Sequence, residues 1–380
     1  MVNPEFKSFN LTVKSAGRFT LQTDRGEMVD FSGSAMTAGY RFCELPIEPI
    51  SALVFRTEPL IKLNKRLKQL SGYQKAAYAN SGTEACDMAL SRHGGAIISF
   101  EGSYHGRSFL TFRASNGTGI DRNLKIVHLK YPGNSVPMER VIEYNSGMLD
   151  EASKLFSIEG ASIILELIQS DGGEIAAPKV FLDYIEKLVE KHKMHLIIDE
   201  VYTGAGRSGS FLLSREYGLN PDMICLGKGI AAGLPMGIVL YNGEWSLPTE
   251  NGALGMLGGN SMACAAALKV LDSLADDRLR FVMQKGEEIM SRIRKVNNPK
   301  VGEVRGRGFM IGVEFVDSSG KPDTGFAYRF RDALVENHVI CGLVGEANNV
   351  LKITPPVLID DETMEKGIRA ILKTLKEVVD

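Results

Sequence analysis

Three short apolar runs constrain this chain most: residues 161–167, 195–198 and 223–226. Each has the length of a strand and is apolar at successive rather than alternate positions, so both of its faces must be covered. Between the first two, Phe181, Ile185, Leu188 and Val189 recur at helical spacing behind Pro178, which stands where a first helical residue would be. Doubly buried strands separated by amphipathic helices predict an α/β fold with a mostly parallel central sheet.

The same periodicities extend in both directions. Helices are expected at 50–69 and 84–93, with short strands at 96–100 and 125–128. Beyond the sheet, helices at 261–274, 280–296, 325–337 and 362–378 accompany a strand at 309–315. Near the start, strand-like pieces at 18–22 and 28–31 flank the turn Asp24-Arg-Gly26. The expected organisation is an N-terminal arm (1–45), a large domain (46–270) and a smaller α+β C-terminal domain (271–380).

Composition excludes several classes of function. A formal net charge of -2 gives no general attraction to nucleic acid or to an anionic membrane. The five cysteines, Cys43, Cys86, Cys225, Cys264 and Cys341, form no C-x-x-C pair, which argues against a disulfide framework or a zinc site. The histidines show no metal-ligand spacing, and no metal is expected. His192 and His195 straddle a helix end and read as structural. No apolar run approaches the roughly 18 residues of a membrane span, and Met1-Val-Asn-Pro-Glu is no signal peptide. A cytoplasmic protein is the expectation.

Strand ends carry the candidate chemistry, because ligands of parallel sheets bind beyond the carboxyl ends of the strands. Run 161–167 leads to Gln169, Ser170 and Asp171; run 195–198 ends at Asp199 and Glu200; run 223–226 leads through Gly227 to Lys228, with Gly229 behind it. A lysine flanked by residues too small to cover it can act as a nucleophile toward a carbonyl. Upstream, Asn-Ser-Gly-Thr-Glu at 80–84 precedes a helix, where Ser81 or Thr83 can cap and free N–H groups suit a phosphate. A phosphate cradle, a carboxylate, a lysine and an aromatic at Tyr104 are together what pyridoxal 5'-phosphate requires.

The residues carrying this constellation resemble the class III aminotransferases, which are fold-type I pyridoxal phosphate enzymes. The likeness rests on Asn-Ser-Gly-Thr-Glu at 80–84, Glu-Gly-Ser-Tyr-His-Gly-Arg-Ser at 101–108 and Leu-Glu-Leu-Ile-Gln-Ser-Asp-Gly-Gly at 165–173. It extends to Ile-Ile-Asp-Glu-Val-Tyr-Thr-Gly-Ala-Gly-Arg-Ser-Gly at 197–209 and Pro-Asp-Met-Ile-Cys-Leu-Gly-Lys-Gly at 221–229. The resemblance implies Lys228 as the Schiff-base lysine and Asp199 as the partner of the pyridine nitrogen. It implies Ser81, Gly82 and Thr83 at the phosphate, Tyr104 and Val201 on the two ring faces, and Gln169 at the ring hydroxyl. Arg107 lies where a distal substrate carboxylate is bound. The implied reaction is ping-pong transfer of an amino group from an amino acid or a terminal-amine donor to a 2-oxo acid, by a homodimer with its active site at the interface. Epimerases, racemases and aminomutases share the scaffold and are the alternative.

Three departures from the family pattern bear on the substrate. Met256 replaces a threonine that reaches the partner's phosphate, Asp171 stands for a glutamate, and Lys352 stands for the arginine that clamps an α-carboxylate. Lysine is a point charge and lacks the bidentate fork. Asp171 and Lys352 are expected to face each other across the substrate pocket, directly or through a water. One rival motif, Gly204 to Gly209, matches G-x-G-x-x-G, but Asp222 precedes a strand where a dinucleotide site wants an acid at a strand's end. Arg305 and Arg307 are expected to serve folding.

Overall fold

The computed structural model describes residues 13–16, 19–32, 50–52, 55–115, 117–133, 136–243 and 252–377. Cys43, Arg18 and most of the expected arm lie outside these residues. All three apolar runs are strands, Ser162–Leu165, His195–Asp199 and Met223–Leu226, and they are neighbours in one eight-stranded sheet. Across the sheet the order is Lys75–Ala79, Gly237–Tyr241, Met223–Leu226, His195–Asp199, Ser162–Leu165, Ile97–Phe100, Ile126–Leu129, Gly119–Asp121. Pairing is parallel through the centre, as expected. Gly237–Tyr241 runs antiparallel to both of its neighbours, and Gly119–Asp121 is an antiparallel edge.

Three of these strands, Lys75–Ala79, Gly119–Asp121 and Gly237–Tyr241, were not expected from the sequence. Lys75–Ala79 reads Lys-Ala-Ala-Tyr-Ala, a composition that favours helix. The slot beside Gly237–Tyr241 overrides that preference and buries Tyr78 completely. The expected helix at 50–69 starts late, at Glu58, with Thr57 extended as its N-cap and Pro59 in the first turn, where its missing N–H leaves no bond unmade. A helix at Met138–Ser153 was not expected at all. Its buried stripe is Val141, Asn145, Leu149 and Ala152, and the asparagine interrupts the apolar period. Asn145 is tolerated because its amide bonds both backbone groups of Lys130, at 2.7 and 3.0 Å.

Apolar residues pack both faces of the large sheet. A second core lies around the antiparallel sheet Val301–Arg307, Met310–Phe315, Val350–Ile353, Gly342–Val344 and the helices Asp276–Arg294, Thr324–Glu336 and Asp361–Glu377. The N-terminal strand Gly26–Asp30 pairs in parallel with Val339–Ile340, which ties the start of the chain to its C-terminal part.

Arg292 grips Glu365 through two bonds of 2.6 and 2.9 Å and so pins the helix Asp276–Arg294 to Asp361–Glu377. Those bonds, opposed by partial burial and helped by Arg369, hold the Glu365 carboxyl down at about 2. A depressed carboxylate contributes stability above its unfolded value, near 4.5, and loses it as pH falls through about 2. Glu365→Gln is therefore expected to cost about 1 kcal/mol at neutral pH, solvent screening included. Urea denaturation of both proteins should show the deficit shrinking from pH 4.5 downward; a deficit independent of pH would assign it to packing.

Candidate active site

Two adjacent parallel strands end side by side and carry the first pair of functional residues. Asp199 closes His195–Asp199 opposite Cys225 of the next strand, and Lys228 follows that strand after Gly227. Lys228 opens a tight turn, Lys228–Ala231, with its backbone in the left-handed region at φ 47°. Such strain in a non-glycine residue concentrates at functional sites. Its Nζ lies 4.9 Å from the centroid of the Tyr202 ring.

Asp199 is buried and surrounded by donors. Its Oδ1 accepts from the Val201 N–H at 3.0 Å, and its Oδ2 from His105 Nδ1 at 2.8 Å and from the Cys86 thiol at 3.4 Å. Contact with Cys225, burial and the negative charge of Asp199 push the Cys86 thiol well up, so it stays a neutral donor. The carboxylate is thus fixed in place by three elements of structure. Neither His105 nor Cys86 was assigned a role in the sequence. His105 sits inside the quoted Tyr-His-Gly segment, which is the signal that could have found it; Cys86, inside a helix, gives none.

The helix Gly82–Ser91 starts at the same sheet edge. Ser81 caps it by accepting from the Glu84 N–H at 3.1 Å, and Glu84 returns to the Asn80 N–H at 2.6 Å. The N–H groups of Gly82 and Thr83 precede the first intrahelical bonds and remain available to an anion. Gly82 must be glycine: a Cβ there would lie 2.5 Å from Val201 Cγ1. The close approach sets the helix end against Val201, two residues beyond Asp199.

Tyr104 is half-buried, and its N–H donates to Glu166 Oε2 at 2.9 Å. Burial and nearby Asp199 hold the Glu166 carboxyl well above the usual range. Glu166 thus anchors the segment bearing the aromatic, a role not read from the sequence. Gln169 is buried, with its Nε2 donating to the Glu101 carbonyl at 2.9 Å. Arg107 is exposed. Met256 is 63% exposed beside half-exposed Leu257, with its carbonyl accepting from Ser51.

Lys352 pairs directly with Glu174 and not with Asp171, although the charge of Asp171 also bears on the Lys352 amine. Lys352, almost fully buried, has its Nζ 3.2 Å from Glu174 Oε1, bonds the Ser170 hydroxyl, and lies 4.1 Å from the Tyr202 ring centroid. Asp171 forms no ion pair among the described residues, and its carbonyl accepts from the Gly345 N–H. The cause is a tight turn in which the Gly173 and Glu174 N–H groups both bond the Ser170 carbonyl. Glu174 takes left-handed backbone at φ 58° and so turns back toward Lys352, three residues past the expected acid.

Other candidate motifs resolve into structure. Residues 204–209 form turns and a bend followed only by the four-residue helix Leu213–Glu216, too short for the helix of a dinucleotide loop. His93 and His195 stack on each other with ring centroids 3.5 Å apart. Among the described residues no group of His, Cys, Asp and Glu could hold a metal ion, and no helix is long and apolar enough to cross a membrane. Arg305 bonds the Gly173 carbonyl at 2.8 Å together with Glu303 and Glu314, while Arg307 pairs with Glu216.

The donor set fits pyridoxal phosphate: helix N–H groups for a phosphate, a fixed buried carboxylate for a ring nitrogen, and an amine at the adjacent strand end. Comparison with known proteins agrees. The model of the family described as aminotransferase class-III matches residues 11–375. An acetylornithine aminotransferase of Haemophilus ducreyi is 31% identical over 86% of this chain and 81% of its own. An alanine/serine racemase of Pyrococcus horikoshii is 29% identical over 98% of this chain and 87% of its own. A transaminase structure from the marine bacterium Virgibacillus superposes with a TM-score of 0.84 at 21% identity, covering 97% and 93% of the two chains.

Proposed function

The chain belongs to the class-III aminotransferase family, and from that premise we propose how its own residues divide the work. The enzyme is a pyridoxal-phosphate-dependent aminotransferase of fold type I, moving an amino group from a donor to a 2-oxo acid. When bound, pyridoxal phosphate supplies an electrophilic carbon and a ring that accepts electrons. Lys228 Nζ would hold it covalently. Freed when the donor's own amine takes its place, Lys228 Nζ would be the base that takes the proton from the amine-bearing carbon of the donor. Asp199 would keep the ring nitrogen protonated, with His105 and Cys86 fixing its position. Ser81, Gly82 and Thr83 hold the phosphate at the helix N-terminus. Tyr104 and Val201 cover the ring faces, Gln169 serves the ring hydroxyl, and Arg107 meets a distal carboxylate. No metal enters this scheme.

The observation that carries this reading is the placement of Lys228 and Asp199 on the ends of neighbouring parallel strands. The protein is taken to be a cytoplasmic homodimer, with the exposed Met256 and Leu257 on the face between subunits. The arm (1–45), large domain (46–270) and small domain (271–380) are taken as its units. The racemase relative supports a second reading, since epimerisation begins with the same proton removal. A 2-oxo acid separates the two. An aminotransferase incubated with donor alone should stop after one turnover and resume on addition of the acceptor. Continuous loss of optical rotation without any acceptor would favour the epimerase.

A further inference from the structure

Lys228 is fixed at its root. Its backbone sits in the left-handed region at φ 47°, the Ile230 N–H bonds the Gly227 carbonyl at 3.1 Å, and a Cβ at Gly227 would lie 3.0 Å from Gly82 Cα. Its tip is another matter, because four rotatable bonds separate the amine from that backbone and ordering them costs entropy. Among the described residues Lys228 Nζ makes no hydrogen bond and no ion pair. What it meets is the ring of Tyr202, with the centroid 4.9 Å away.

Tyr202 offers a rigid surface. It is buried in the core of the large sheet, and the turn that carries it is closed by the Gly204 N–H on the Glu200 carbonyl at 3.0 Å. Burial holds its hydroxyl well above the usual phenol range, so the side chain stays neutral and is no counter-ion. The second amine on this ring, Lys352 at 4.1 Å from the centroid, is engaged by Glu174, which sits where a Cβ at Gly312 would come within 3.0 Å of its own Cβ. Lys228 is thus the amine of the two that has no polar partner.

A ring face suits an amine that must gain a proton. A carboxylate in this place would hold the amine as ammonium, and a hydroxyl would donate to its lone pair. The face of a phenol does neither. It attracts N–H groups weakly and a full ammonium more strongly. Its pull therefore grows as the amine takes on charge, which is the kind of contact that speeds a reaction. It also narrows the positions open to the amine, which proximity rewards.

We propose that Tyr202 is a positioning residue, whose ring face holds the Lys228 amine at the strand end and stabilises the ammonium formed when that amine takes the donor's proton. In this step the C–H bond of the donor's amine-bearing carbon breaks, its electron pair is taken up by the bound cofactor, and the proton forms an N–H bond on Lys228 Nζ. This inference rests on the aminotransferase reading above, in which Lys228 is the base.

Two variants separate the face from the hydroxyl. Tyr202→Leu removes the ring and keeps an apolar side chain, while Tyr202→Phe keeps the ring and removes the hydroxyl. Full-length enzyme freed of cofactor is mixed with pyridoxal phosphate, and imine formation is followed by absorbance. The rate should fall at least about tenfold in Tyr202→Leu and recover to within about threefold of wild type in Tyr202→Phe. Pyridoxine 5'-phosphate has no aldehyde and cannot react with the amine. Its calorimetric affinity should stay within about twofold across all three proteins, because the helix N–H groups and Asp199 are untouched. In the loaded enzyme, L-alanine or 1-aminopropane deuterated on the reacting carbon should show a larger isotope effect on the single-turnover rate in Tyr202→Leu than in wild type. Should Tyr202→Leu fold poorly, Tyr202→Met fills the space without a ring face and carries the same expectations. Tyr202→Phe as slow as Tyr202→Leu would give the role to the hydroxyl and overturn the proposal. So would a Tyr202→Leu imine rate within about threefold of wild type, or an isotope effect that does not rise. Weakened pyridoxine 5'-phosphate binding in step with the slower rate would assign the loss to the fold and overturn it too. All of these leave the aminotransferase reading intact. If the wild-type enzyme forms no imine with pyridoxal phosphate, or converts neither compound, that reading fails and this inference with it.

Discussion

Lys228→Ala is expected to abolish turnover, with a loss of about a millionfold, the scale on which enzymes that work through a covalent residue fail when it is removed. Two functions vanish together. The amine proposed to carry the cofactor is gone, and so is the proposed base for the proton of the donor. The fold should remain, because Lys228 follows a strand whose four residues are fully buried, and the turn bonds of Ile230 and Ala232 use backbone groups alone. Cofactor should still bind, since the helix N–H groups and Asp199 are untouched. The spectrum would then be that of the free aldehyde. Borohydride reduction of the wild-type enzyme followed by peptide mapping should place the pyridoxyl label on Lys228. A label on Lys352, whose amine approaches the same Tyr202 ring, would move the chemistry to the second lysine.

Asp199→Asn is expected to cost about 10⁴-fold in kcat, by the logic of other buried carboxylates that fix a protonation state. The surroundings argue for an effect beyond lost charge. Three donors converge on this side chain: Val201 N–H, His105 Nδ1–H and the Cys86 thiol. An asparagine offers one acceptor oxygen, so its NH₂ group must face at least one donor. That mismatch is expected to cost about 1–3 kcal/mol of stability as a buried unmet bond. The cofactor absorbance should shift as the ring nitrogen loses its proton, and the fold should survive by circular dichroism. Activity within tenfold of wild type would show that another acid serves the ring.

The composition of individual segments was enough to place much of this site. Runs 161–167, 195–198 and 223–226 declare doubly buried strands, and a parallel sheet puts its ligands at the carboxyl ends. Asp199 and Lys228 were legible because they are the polar residues where those runs stop. Ser81 was legible because an N-cap is a local event, completed within four residues. The helix Met138–Ser153 was missed for a reason of the same kind. Its buried Asn145 breaks the apolar stripe, and the partner that makes it tolerable, Lys130, lies in a different segment.

The tertiary structure alone decided which residues surround those anchors. Cys86 reaches Asp199 across a helix–sheet interface, and His105 reaches it from a loop. Asp171 and Glu174 were equally acidic in the sequence, and the resemblance to the family motif pointed to Asp171 alone. The left-handed turn at Glu174, the clamp from Arg305 and the gap at Gly312 bring the second acid to Lys352 instead. Likewise Lys75–Ala79 became a strand only because a slot beside Gly237–Tyr241 buries Tyr78. Periodicity and strand-end polarity report how one segment meets solvent or core, which a local stretch can encode. Which acid meets which base depends on the register of strands and turns distant in the chain, and that is fixed only when the whole core packs.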